Sequence, residues 1–102
     1  MQGNDGINAL FLAVQNGHIL IAEELIMAGS NVDIPSTEGV TALYCAAQHG
    51  DLETVQLLLF NGANANYEDE RGLVPLHMAC LNGHRKVTLT FGSFVDLIII
   101  KI

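Results

Sequence analysis

Two groups of residues in this 102-residue chain have the types and spacing of a chemical site. Cys45 and His49 stand four apart, and His77, Cys80 and His84 stand at i, i+3 and i+7, so on helices each set would line one face in the manner of zinc ligands. The same side chains could pair as thiol nucleophile and base. That chemistry also needs a third, orienting group and an oxyanion pocket, and the sequence indicates neither. Glu68-Asp69-Glu70 could hold a cation, but three acids at a loop tip read better as a solvated face that meets a basic partner. The glycines at 3, 6 and 83 belong to no G-x-G-x-x-G or P-loop string, so no phosphate cradle is expected. The expectation is a chain with no catalytic residue, no cofactor and no bound metal.

Composition narrows the function further. Half the residues are hydrophobic and 15% are charged, enough apolar side chain for a packed core and far from disordered composition. The formal charge of -7 is unevenly spread. Residues 1–70 carry ten acids and no Lys or Arg, whereas residues 71–102 set Arg71, Arg85, Lys86 and Lys101 against Asp96, a local +3. A field of this sign repels phosphate backbones, which argues against nucleic acid as a partner. No apolar stretch reaches the roughly 20 residues of a spanning helix. Residues 1–14 lack the basic start of a secretory signal, and two cysteines are too few for a disulfide framework, so a cytoplasmic or nuclear setting is expected.

The elements that must position these side chains follow from an internal repeat. Gly6, Gly39 and Gly72 fall in register, as do Leu10, Leu43 and Leu76, Ala13, Ala46 and Ala79, and Gly17, Gly50 and Gly83. Residues 6–38 and 39–71 share nine identities, all but two of them at glycines and small or apolar positions. In the second unit Thr41 can cap a short helix, Leu43, Ala46 and Ala47 make its apolar face, and Gly50 stops it. Asp51 caps a second helix, Glu53 supports its first turn, Leu52, Val55, Leu58 and Leu59 form its stripe, and Asn61-Gly62 closes it. Residues 63–71 lack helical period and should form an exposed loop or hairpin. Two short helices and a loop cannot bury both faces alone, so the units must stack.

A repeat of this length, built as helix, glycine turn, helix, glycine turn and hairpin, resembles the ankyrin repeat. The family's Thr-Pro-Leu-His signature appears as Asn8-Ala9-Leu10-Phe11, Thr41-Ala42-Leu43-Tyr44 and Val74-Pro75-Leu76-His77, and its Leu-Leu-Leu-x-x-Gly-Ala as Leu57-Leu58-Leu59-Phe60-Asn61-Gly62-Ala63. The resemblance implies an all-α repeat fold, a solenoid of helix-turn-helix units joined by β-hairpin loops, with units at about 4–36, 37–69 and 70–87. It also places His77 at the turn-stabilising histidine, His18 and His84 at the Gly-His position, and Cys45 and Cys80 at small first-helix positions, which is a structural use of each. Val74 replaces the capping threonine and should weaken the third unit's first helix by up to ~1 kcal/mol.

The function implied is a noncatalytic protein-binding module that uses hairpin tips and the concave first-helix face. Carried onto this chain, the contact positions are Asn4, Asp5, Ile7, Gln15 and Asn16 in unit one, and Pro35, Thr37, Glu38, Val40, Gln48 and His49 in unit two. Unit three adds Glu68, Glu70, Arg71, Leu73, Leu81 and Asn82. Acids around Ile7, Val40 and Leu73 fit a protein partner with basic residues beside an apolar anchor. Two other readings are an ankyrin segment of a larger enzyme, channel or ligase adaptor, and a small metal-dependent enzyme using the Cys/His sets. A monomer is expected, with the apolar tail as a route to self-association.

Residues 88–102 depart from the pattern. Continuing the register puts Thr88 and Gly92 on the buried stripe, so the third unit reads as incomplete. Val87, Leu89 and Phe91 alternate with threonines before Gly92-Ser93, which predicts a hairpin, with a short helix from Phe94 as the competing form. In either form this segment is expected to cover the apolar face left by Leu52, Val55 and Leu59.

Overall fold

The computed structural model describes residues 9–101 and side chains through Ser93; its first five helices each end within two residues of a positive-φ glycine, and side chains cap the third and fourth. Six helices follow in order: α1 Ala9–Gln15, α2 Ile19–Met27, α3 Ala42–His49, α4 Leu52–Phe60, α5 Pro75–Leu81 and α6 Arg85–Lys101. Thr41 Oγ1 accepts from the Tyr44 amide at 3.3 Å, and the Asp51 carboxylate accepts from the Thr54 amide at 3.3 Å and its hydroxyl at 2.7 Å. Val74 offers no acceptor, and His77 Nδ1 compensates by accepting from the Val74 amide at 3.0 Å. Gly50 ends α3 at φ 75°, and a Cβ built there would lie 2.5 Å from His84 Nδ1. Both the backbone and the ring packed on it demand glycine at this turn.

Stacking completes the core that one unit cannot make. Helices α1, α3 and α5 contact in one row and α2, α4 and α6 in a second, while α1·α2, α3·α4 and α5·α6 pair across the rows. Ala13, Ala46 and Ala79 are buried at equivalent places in the first row, where their small size lets neighbouring helices approach. Val55 and Leu58 are fully buried in the second. Each such side chain contributes roughly 1.5–3 kcal/mol by leaving water.

The loops between helix pairs are hairpin-shaped, but among the described residues no strand forms. The first closes through Ser36 N to Val40 O at 2.9 Å, and the second through Asp69 N to Leu73 O at 2.7 Å. Each loop is braced by its opening side chain. Ser36 Oγ accepts from the amides of Glu38 and Val40, and Asp69 Oδ1, at the same position of the next repeat, accepts from those of Arg71 and Leu73. The loops stack directly, with Glu70 N donating to Glu38 O at 2.9 Å. Gly39 permits it, since a Cβ there would meet the Asp69 Cα at 2.8 Å.

The C-terminal hairpin read from the alternation is not what forms: α6 runs without interruption from Arg85 to Lys101, and the third pair has a second helix. Val87 and Phe91, spaced i and i+4, are both buried, whereas Leu89 is exposed. Alternation over so short a stretch shares that spacing with a helix, and contact of α6 with α4 and α5 decides between them. Thr88 and Thr90 return their hydroxyls to the carbonyls of His84 and Lys86, which accommodates both in the helix. Gly92 is exposed, so its missing side chain leaves no hole. Of the expected covering of Leu52, Val55 and Leu59 by the tail, Phe91 of α6 is buried in one core cluster with Val55 and Leu59, and the side chains beyond Ser93 lie outside the described residues.

Candidate functional site

Acidic residues that the sequence spaces far apart are brought together by the stacked loops. Glu38, Val40, Gln48, Glu70 and Arg71 converge on a cleft of about 410 Å³ whose lining is completed by Tyr44 and Asp69. Glu38 and Glu70 stand at successive loop tips, both exposed, and the amide-to-carbonyl bond between them fixes their backbones. Val40 is half-buried beneath them. Gln48 reaches the cleft from the end of α3.

Beneath the cleft lies a hydrogen-bonded cluster that joins the second helix pair to the following loop. Tyr44 Oη donates to Asp69 Oδ2 at 2.8 Å, and the Arg71 guanidinium donates to the same oxygen from Nε at 3.3 Å and Nη2 at 3.1 Å. Arg71 Nη2 also donates to Tyr44 Oη at 3.0 Å. With Oδ1 holding two amides, the carboxylate has both oxygens occupied. Burial works to raise the Asp69 carboxyl, but the Leu73 amide, the Tyr44 phenol and the amide and guanidinium of Arg71 outweigh it and hold the group well below the usual carboxylate range. Burial, then the neighbouring carboxylate, pushes the Tyr44 phenol above its ordinary value. A carboxylate so fully bonded is a poor proton acceptor, and it serves here to aim Arg71 and brace the loop.

The other sequence-derived contact positions fall outside this cleft. Asn16 and Asn82 donate from Nδ2 to the carbonyls of Leu12 and Met78 at 2.9 Å each, and His49 Nδ1 lies 2.8 Å from the Cys45 carbonyl. All three occupy one repeat position and cover the open end of a first helix. Gln15 and Leu81 are exposed at the ends of α1 and α5. Pro35 and Leu73 are half-buried, and Thr37 and Glu68 are exposed on the loops. Asn4, Asp5 and Ile7 lie outside the described residues.

Cys45 Sγ and His49 Nδ1 lie 3.6 Å apart on α3, whereas His77, Cys80 and His84 are spread over separate contacts. His77 braces the start of α5, and His84 Nε2 lies 2.8 Å from the Gln48 carbonyl of the preceding pair. Cys45 is buried, which pushes its thiol up and away from nucleophilic use. Cys80 is exposed beside Thr88.

Tyr44 and Asp69 form parts of one assembly that the sequence analysis does not join. A signal was present: Asp69 occupies the repeat position of Ser36, and each stands three places before a glycine, which marks both as loop-bracing positions. No local pattern announces the partner, because Tyr44 lies on the preceding helix pair, far from Asp69 along the chain.

Residues 10–91 match a family model described as ankyrin repeats in three copies. No curated protein matches the chain.

Proposed function

The chain belongs to the ankyrin repeat family, and from that membership we propose that it is a noncatalytic module binding a protein partner through its loop tips and the concave face of its first helices. Ankyrin repeats are generally protein–protein interaction modules. No described helix is long and apolar enough to cross a membrane. The observation that carries the proposal is the cleft between successive loops, where Glu38 and Glu70 flank half-buried Val40 over an internally satisfied base. Its chemistry suits a partner segment with a basic side chain beside an apolar one: opposite charge speeds encounter, and the apolar contact slows release. A cytoplasmic or nuclear setting accords with two free thiols on separate helices.

The test is capture of partners by the full chain, followed by the Glu38→Lys/Glu70→Lys double variant. Both sites are exposed, so helical circular dichroism should hold within the ~0.5 kcal/mol usual for surface changes. Association should weaken at least tenfold and lose much of its dependence on salt. Unchanged affinity for a captured partner would place the contact surface elsewhere.

A further inference from the structure

The two ends of the helix stack leave open the very positions that are covered elsewhere in the array. Leu12 and Ile21, on the leading side of the first helix pair, are 46% and 51% exposed, while their counterparts in the next repeat, Cys45 and Thr54, are 4% and 1% exposed. The counterparts after those, Met78 and Val87, are buried as well. The difference is that the second and third pairs each have a pair in front of them. The trailing side shows the reverse. Val14 and Ala47 are buried and Cys80, the same position in the last pair, is exposed; Ala22 and Val55 are buried and Thr88 is only half so. A hollow of about 410 Å³ opens there, lined by Cys80, Gly83, Arg85, Thr88 and Leu89.

We infer that the chain associates head to tail with further copies of itself, the trailing face of the third helix pair in one copy seating on the leading face of the first pair in the next. Each junction inside the molecule mates a trailing face with a leading face, so every chain displays both halves of an interface that it already makes twice. Charge selects the orientation. Exposed Glu23 and Glu24 on α2 and exposed Arg85 and Lys86 at the start of α6 attract when leading meets trailing face, and repel when like ends meet. Glu24 is exposed one turn from Ile21 on α2, and Arg85 lines the hollow at the other end. An interface between different faces need not close, so copies add to form open chains. This departs from the expected monomer, uses neither the loop cleft nor the residues beyond Ser93, and stands independently of the proposed partner site.

Sedimentation of the full chain under reducing conditions tests it, with two variants that each spoil one face, Ile21→Asp and Cys80→Asp. Both sites are solvent-exposed in the single chain, and retained helical circular dichroism checks the fold; Leu12→Asp and Thr88→Asp serve as second variants of the same faces. The wild-type weight-average mass should climb with concentration from the 11.0 kDa of one chain to beyond twice that value. Each variant alone should remain a monomer. Mixed in equal amounts they should form a dimer and stop, because only one intact pair of faces remains between them. A wild type that stays monomeric at every concentration would overturn the inference and assign the open faces to other partners. So would a variant that still self-associates, or a mixture that gains nothing, since either result means that the two faces are not mates.

Discussion

Asp69 is the residue whose removal most sharply separates bracing from contact. Asparagine there could still accept the two loop amides through Oδ1, but its Nδ2 would face the Tyr44 hydroxyl and the Arg71 guanidinium, donors against a donor. Asp69→Asn should therefore lower the thermal midpoint at neutral pH. The folded carboxyl titrates below its unfolded value of about 3.9, so its contribution is complete above that pH and fades as acid protonates the native group. Melting curves from neutrality down to about pH 2 should show a smaller acid loss in the variant than in the wild type, the difference opening below about pH 4. Equal midpoints at neutral pH would remove the cluster from the account of loop stability.

At the scale of elements, α6 offers the cleanest test because its sequence argued for something else. Gly92 lies within the helix, without positive φ, and a Cβ there meets nothing within 4 Å. Gly92→Ala should thus stabilise the protein by about 1 kcal/mol, the usual propensity difference. For a domain of this size that raises the melting midpoint by roughly 4–8 °C. A hairpin with glycine first in its turn would need positive φ and would be destabilised by the same change, so the sign of the shift discriminates between the forms. The other helices were legible because cap, apolar face and glycine stop agree at Thr41, Leu43 and Gly50, and agree again at Asp51, Leu58 and Gly62. In α6 the local signals conflict: threonines and a glycine favour extended or turn structure, and only burial of Val87 and Phe91 against α4 and α5 resolves the conflict. The cleft was half legible for a related reason. Exposed acids can be read from the repeat register, but a bond between side chains as distant in sequence as Tyr44 and Asp69 cannot.

At the scale of the whole molecule, the two junctions between helix pairs are built unequally. His84 bonds the last-turn carbonyl of α3, and the Tyr44–Asp69–Arg71 cluster ties the same helix to the loop that follows. At the earlier junction Asp51 occupies the position of His84 and caps its own helix instead, while Ser36, the counterpart of Asp69, spends its hydroxyl on amides of its own loop. A cross-loop bond from Asn64 N to Asp33 Oδ1 is what the described residues add there. In a linear array, cohesion is a sum over neighbours, so unequal junctions make unravelling directional. Native-state hydrogen exchange should find the amides of α1 and α2 released first, with α3 to α5 opening together at higher cost; simultaneous release of all five would mean equal junctions. The chain would then fray from its acidic end inward while the seam beneath Glu38 and Glu70 stays shut, leaving the cleft on the part of the molecule that yields last.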